Sequence, residues 1–174
     1  MAILARNGLD FECTRSCSMQ HMTPQHTEPL PGLNSSRYAL LHSYDSTGRP
    51  VDTPIWFAVE GTTLYFRSKI GPKTRRIERH PEVELRSCDH RGRTDSKTPV
   101  FRGVATVIDG AAAEEANALL HDRYGWQWNV VPMIKIPGVV NVHRSLGWRD
   151  KLRRSRSKTL WPDSAIVRVD LLDS

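Results

Sequence analysis

One segment constrains the structure more than any other: FRSKIGPKTRRI, residues 66–77. Its start continues an apolar/polar alternation from Thr62, which is typical of a half-buried strand. Gly71 permits a turn, and Pro72 suits the first position of a helix, where its missing N–H costs nothing. The pattern predicts a strand that ends at Ser68, then a short helix over 73–80 that Pro81 stops.

The sequence on both sides of this segment predicts more strands. Upstream, the alternating stretches 38–44, 51–59 and 62–68 are separated by turn formers, which predicts a three-stranded antiparallel meander. Downstream, strands are predicted over 82–88, 100–109 and 164–171, with a helix over 111–124. We therefore expect a mainly β protein, a small barrel of about six antiparallel strands with two or more short helices. A barrel of this size fills its interior with side chains, so a large ligand must bind outside it.

The first part of the chain differs from the rest. Residues 1–35 are rich in turn and helix-breaking residues and have no apolar period, which predicts a flexible N-terminal tail, with one folded domain over 36–174. Cysteines and histidines in this tail do not have the spacing of usual zinc sites, and no second ligand pair follows. We expect no metal. The tail residues considered for it are Cys13, Cys17, His21 and His26.

Composition limits the possible classes of protein. The chain has 174 residues, and 25 Lys and Arg against 19 Asp and Glu give a formal net charge of +6. No apolar stretch is long enough for a transmembrane helix, and the N-terminus does not have the pattern of a signal peptide. Three cysteines are too few for a disulfide framework, so a reducing cytoplasm is expected.

The positive charge is concentrated in two places, residues 67–79 and residues 144–158. Such clusters favour anionic partners, although each could also be a solvated basic face. In the second cluster, Trp148 and Leu152 lie among basic residues, so a basic amphipathic element at the surface is one interpretation. We expect residues 144–158 to form a solvated surface flap, with peripheral membrane contact as the alternative. No nucleic-acid partner is expected, because the run lacks a recognisable binding fold.

The first cluster has the features of a phosphate cradle. A helix N-terminus offers unpaired N–H donors and a partial positive charge to an anion. Lys73 and Thr74 in the first turn add a cation and a hydroxyl, and Arg67 and Ser68 face them from the end of the strand. A phosphate monoester or diester suits such a site; a solvated basic helix is the competing interpretation.

Four segments in register resemble a known family. TPIWFAV at 53–59, LYF at 64–66, GPKTRRI at 71–77 with HP at 80–81, and LRSCDHRG at 85–92 are similar to the split β-barrel flavin and deazaflavin oxidoreductases. More narrowly, they resemble the pyridoxamine-oxidase-like class of probable F420-dependent enzymes of actinobacteria. The resemblance covers residues 37–126 and the final strand.

This resemblance implies a homodimer with two cofactor sites in grooves between the subunits. It also implies hydride transfer from reduced cofactor to an electrophilic carbon of a small-molecule acceptor, with the chemistry supplied by the cofactor, so we name no catalytic acid or base. By analogy, Thr53, Pro54, Ile55 and Trp56 flank the ring, and the phosphate is held by Arg67, Ser68, Lys73, Thr74 and Arg75.

The choice of cofactor depends on the length of the anionic tail. Coenzyme F420 carries several glutamates beyond its phosphate, and basic groups outside the cradle would suit them, whereas FMN has one phosphate. The groups that could extend the cradle are Lys69, Arg76, Arg79, Arg91, Arg93 and Lys97. We therefore expect F420, with FMN as the alternative. A non-catalytic protein that binds a cofactor or tetrapyrrole is the further alternative. Pyridoxamine phosphate oxidation is disfavoured, because the C-terminal segment of those oxidases has an arginine pattern absent here.

Overall fold

In the part of the chain that the structure describes, the fold is a seven-stranded antiparallel sheet with four helices. A computed structural model describes residues 30, 32–131 and 147–172. The strands are β1 (Tyr38–Tyr44), β2 (Pro50–Ile55), β3 (Ala58–Glu60), β4 (Thr63–Lys69), β5 (Glu82–Cys88), β6 (Phe101–Ile108) and β7 (Ser164–Leu171). The helices are α1 (Pro72–Arg79), α2 (Gly110–Tyr124), α3 (Gln127–Val130) and α4 (Trp148–Arg156). The prediction of a mainly β split barrel is confirmed.

The sheet curls until its two edges meet. The strand order is β2-β1-β5-β6-β7-β4-β3, so β2 and β3 are the edge strands. A flat sheet of this size would be about 29 Å wide at the usual strand spacing. Yet only Trp56 and Phe57 separate β2 from β3 in the chain, and three Cα steps span at most about 11 Å. The connection therefore holds the edges together and requires a barrel.

The predicted three-stranded meander is wrong. The stretch 51–59, expected to be one strand, breaks at Trp56 and Phe57, and its halves lie at opposite edges of the sheet. β2 pairs with β1, whereas β3 pairs with β4. At the break, the Tyr124 hydroxyl accepts a hydrogen bond from the Phe57 amide (3.0 Å) and lies 2.7 Å from its carbonyl oxygen. A side chain from α2 thus satisfies the backbone that strand pairing leaves free.

The interior of the barrel is filled by side chains. Along β4, Leu64, Phe66 and Ser68 are buried, while the alternate residues lie on the outer side. The core also takes Ile77 from α1, so that this helix is anchored beside the barrel. A second apolar cluster forms where α2 and α3 cover the outside of the barrel, around Leu120 and Trp128.

The folded unit begins earlier than predicted. Leu30 and Leu33, which fall within the predicted tail of residues 1–35, are buried in the barrel core. The Arg123 guanidinium also donates to the carbonyls of Asn34 (3.2 Å) and Ser36 (2.7 Å). The packed part of the chain therefore includes Leu30 and Leu33 as well as the residues from Ser36 onward, because both leucines bury their side chains in the core cluster. The cysteines and histidines considered for a metal lie outside the described residues.

In the part of the chain that the structure describes, no group of three or more His, Cys, Asp and Glu could hold a metal ion. No helix among the described residues is both long and apolar enough to cross a membrane.

Candidate anion-binding site

The corner between β4 and α1 is formed by the segment that the sequence analysis singled out. β4 ends at Lys69, and α1 begins at Pro72 after Gly71. Thr74 and Ile77 are the buried residues of α1, so they fix which side of the helix faces the barrel. The amides at the start of the helix have no carbonyl one turn earlier to bond. The corner therefore combines a helix N-terminus with the basic side chains of the first two turns.

Lys73 and Arg76 form the electrostatic centre of this corner. The Lys73 ammonium lies 5.9 Å from the centroid of the Phe66 ring. Burial, and secondarily the neighbouring positive charge of Arg76, lower the pKa of Lys73 to about 8. The Arg76 Nε is buried and has no hydrogen-bond partner among the described residues. No described carboxylate forms an ion pair with either side chain.

Two adjacent cations without a counter-charge are unfavourable in the free protein. A bound anion would relieve their repulsion and replace the hydration that burial has removed. The corner is therefore a candidate site for an anion.

The two predicted hydroxyl ligands are engaged with the backbone. The Thr74 hydroxyl donates to the Gly71 carbonyl and accepts from the Gly71 amide, both at 3.0 Å. The Ser68 hydroxyl donates to the Lys69 carbonyl at 3.2 Å. Because a hydroxyl has one hydrogen, neither can also donate to a phosphate in this arrangement. Thr74 shapes the turn that presents Lys73.

The Arg67 side chain is engaged by aromatic rings and by the backbone of α3. Its guanidinium is sandwiched between the rings of Trp128 and Trp161, each with its centroid 4.2 Å away. It donates to the Trp128 carbonyl at 2.7 Å and to the Asn129 side chain at 3.4 Å. Burial lowers the pKa of Arg67 to about 9, with Asp163 opposing that shift and Arg154 adding to it. This arginine is partnered by the protein itself, so the expectation that it holds a phosphate has no support in its contacts.

The same stack continues in both directions, and we name it the aromatic ladder. Trp56 stacks on Tyr124 with centroids 4.5 Å apart, and Tyr124 stacks on Trp128 at 5.7 Å. At the other end, Arg154 lies over Trp161 at 5.0 Å. The members in order are Trp56, Tyr124, Trp128, Arg67, Trp161 and Arg154.

The four residues expected to flank a cofactor ring fall in different environments. Trp56 belongs to the aromatic ladder, and Ile55 is buried in the core. Thr53 pairs with Leu41 across the sheet, and Pro54 is exposed beside Gly92, where a Cβ would lie 2.8 Å from the Pro54 Cγ. Among the described residues, no hydrogen bond or ion pair joins this stretch to α1.

The remaining basic side chains lie around the corner and in a loop. Lys69, Arg75 and Arg79 are exposed, so they are available to a tail that extends from the Lys73–Arg76 pair. In the loop after β5, Arg93 is paired with Asp89 at 2.7 Å, while Arg91 and Lys97 are exposed. A groove of about 400 Å³ begins beside Thr74 and Ile70 and reaches Leu160 and the start of α2.

The partners of Arg67 are distant in sequence and were not predicted. Trp161 and Asp163 come from the segment before β7, and they reach Arg67 because β7 pairs with β4 in register. A strand pairing between residues about a hundred positions apart leaves no local signal, so only the tertiary structure could identify these partners.

Sequence comparison assigns the chain to a family. The family described as pyridoxamine 5'-phosphate oxidase matches residues 24–143, more than half of the chain. No curated protein matches the chain in sequence.

Several solved structures share the fold. The haem storage protein HutZ from Vibrio cholerae is 16% identical, with a TM-score of 0.53, over 80% of this chain and 84% of that chain. The conserved hypothetical protein Rv2991 from Mycobacterium tuberculosis is 20% identical, with a TM-score of 0.53, over 82% and 77%. ChuZ from Campylobacter jejuni is 12% identical, with a TM-score of 0.50, over 80% and 49%. At these identities the likeness shows the fold alone.

Proposed function

We propose that this chain, which belongs to the pyridoxamine 5'-phosphate oxidase family, is an oxidoreductase that binds the anionic tail of a flavin-type cofactor at the corner between β4 and α1. The observation that carries the proposal is the pair Lys73 and Arg76, two partly buried cations with no ion-pair partner among the described residues. A phosphate would accept charge-assisted hydrogen bonds from both.

The bound cofactor would supply the redox chemistry, the transfer of a hydride to a small organic acceptor. The residues of this chain bind and orient it. Lys73 and Arg76 hold the phosphate, and the free amides at the start of α1 add a favourable dipole. Fixing the tail limits where the rest of the cofactor can reach, so that position accounts for much of the catalysis.

We favour coenzyme F420 over FMN because basic side chains continue past the phosphate position. Lys69, Arg75 and Arg79 are exposed beside the corner and are suited to a tail that carries several carboxylates. FMN on the same scaffold is the alternative. FMN needs only Lys73 and Arg76, because it carries a single phosphate.

We propose in addition that the active form is a homodimer. The family resemblance supports this, because it implies that the residues beside the ring, such as Thr53, Pro54 and Ile55, and those at the phosphate line grooves between two subunits. A second copy packed across the barrel would close a groove over both parts. The protein would work in a reducing compartment such as the cytoplasm, in agreement with its cysteine content.

The direct test is titration of the purified full chain with oxidised F420 and with FMN, followed by cofactor fluorescence, with the oligomeric state measured by light scattering. Saturable binding of F420 that is tighter than that of FMN supports the proposal. Tight FMN binding with none of F420 moves the assignment to a flavin enzyme. Binding without hydride transfer to quinone, enone or tetrapyrrole acceptors identifies a non-catalytic cofactor-binding protein. If neither cofactor binds, the proposal is overturned.

A further inference from the structure

The helix α4 forms a second basic surface that the proposed redox function does not use. Its nine residues carry five cations against the single acid Asp150, and none of them is buried. The cations are Arg149, Lys151, Arg153, Arg154 and Arg156.

One side of α4 is attached to the barrel. Arg154 forms an ion pair with Asp163 at 2.9 Å and stacks over Trp161, which is itself a member of the aromatic ladder. Since Trp161 also stacks on Arg67 of β4, the orientation of α4 is fixed by the sheet. The opposite side must therefore point outward.

That outward side has a definite order of residues. At about 100° per residue, one arc of about 140° contains five side chains, and all of them are exposed. Around the arc they are Trp148, Leu152, Arg156, Arg149 and Arg153. Apolar residues thus form one edge of the exposed face and arginines the remainder. We call these five residues the α4 patch.

The apolar edge is unusual for a solvated helix. Trp148 is 71% exposed and Leu152 is 43% exposed, and they are neighbours one turn apart. A second tryptophan, Trp126, is 70% exposed and lines the same groove as Arg156 and Lys158. Tryptophan beside basic residues is the combination found where helices lie at a membrane–water interface.

We propose that α4 binds the surface of an anionic lipid bilayer. In this arrangement the helix lies in the plane of the interface, with Trp148 and Leu152 among the upper acyl chains. Arg149, Arg153 and Arg156 contact lipid phosphates, and the negative surface potential complements the charge of the patch. A nucleic acid would also attract the arginines, but it would not require the exposed Trp148–Leu152 edge.

The test is co-flotation of the full chain with vesicles made of equal parts phosphatidylglycerol and phosphatidylcholine, compared with vesicles of phosphatidylcholine alone. We expect the protein to float with the anionic vesicles only, with a blue shift of tryptophan fluorescence. Absence from the anionic vesicles overturns the proposal.

Paired variants separate the α4 patch from general positive charge. Arg149→Gln with Arg153→Gln should weaken partitioning by about 30-fold, because each removes one cation from the lipid surface. The control is Arg49→Gln with Arg93→Gln, which removes the same charge from equally exposed ion-paired arginines: Arg153 is 80%, Arg49 78% and Arg93 71% exposed. The control pair should partition like wild type; equal losses in both pairs would show charge attraction without a site.

A second pair of variants tests the apolar edge of the α4 patch. Trp148→Ser should abolish most of the fluorescence shift and weaken binding about tenfold or more. Leu172→Ser replaces a 57% exposed leucine outside the patch, and it should change neither the fluorescence shift nor vesicle binding. If Trp148→Ser leaves vesicle binding intact and the full chain binds duplex DNA more tightly than vesicles, the partner is a nucleic acid and the lipid proposal fails.

Discussion

Lys73 and Arg67 are both partly buried cations from the same strand–turn–helix segment, yet their surroundings are opposite. Arg67 stacks between Trp128 and Trp161 and donates to a backbone carbonyl. Lys73 has an aromatic ring nearby and the positive charge of Arg76 beside it, and no described carboxylate pairs with it. In both, burial lowers the pKa.

This difference distinguishes a cation that stabilises the fold from a cation that is available to a ligand. A buried cation that the protein itself surrounds stabilises the fold, because its hydrogen bonds and ring contacts replace the water that it has lost. A buried cation left beside another cation costs stability, and it is retained where a ligand supplies the missing charge. Variants of Arg67 and Lys73 and the pH dependence of binding test this distinction, while a Tyr124 variant tests the scaffold around Arg67.

Replacing Arg67→Ala should lower the free energy of unfolding by about 3–4 kcal/mol, since it removes a charged hydrogen bond and two cation–ring contacts. Urea denaturation measures this loss. Affinity for the cofactor, measured on the protein that stays folded, should be unchanged. If the variant keeps wild-type stability but loses cofactor binding, Arg67 is a ligand after all and the comparison with Lys73 fails.

Replacing Lys73→Ala should have the reverse profile. Cofactor binding should weaken by about 1–3 kcal/mol, the range for a charged hydrogen bond, while the stability of the cofactor-free protein stays equal or increases. Fluorescence titration and urea denaturation give the two quantities. Arg49→Ala, at an exposed ion pair with Asp45, is the control and should change neither. If the folded Lys73→Ala variant binds the cofactor as tightly as wild type, the proposal of an anion site at Lys73 is wrong.

Replacing Tyr124→Phe tests the aromatic ladder without removing a ring. The variant loses the hydroxyl that bonds to Phe57 between β2 and β3, so we expect a loss of about 1–2 kcal/mol in unfolding free energy. Hydrogen exchange of the Phe57 amide should accelerate in the same variant. Unchanged exchange would show that the hydroxyl does not hold the connection between the barrel edges.

The pH dependence of binding provides the finest test. The pKa of Lys73 is lowered to about 8 in the free protein, below its usual 10.5. Between these values the unfolded chain binds more protons, so stability rises as pH increases through that window. A bound phosphate favours protonated Lys73, and affinity should therefore fall as pH rises above about 8. Isothermal titration at several pH values measures this slope, and Lys73→Met should remove it. If the affinity of the wild-type protein does not change with pH, the anion does not bind at Lys73.

Local patterns were sufficient for most of the secondary structure. β1, β5 and β7 have the predicted boundaries, α1 begins at Pro72 as the sequence indicated, and α2 begins one residue earlier than expected. Alternation, Gly71 and Pro81 are signals within a few residues, and they needed no distant partner. The stretch 51–59 was different: its alternation is continuous, but Tyr124 takes the hydrogen bonds at Phe57 and the strand divides. Residues 125–163 carried too little periodicity to predict α3 and α4 beforehand.

The amino-acid order alone determined a mainly β chain, a helix start at Pro72 and a concentration of cations around it, because each depends on neighbours in sequence. The tertiary structure decided which of those cations have a partner. Arg67 and Lys73 carry the same charge within one short segment, but β4 pairs with β7, and that pairing brings Trp161 and Asp163 to Arg67. No equivalent contact reaches Lys73 from the described residues, and the charge left uncompensated there is what an anionic ligand would neutralise.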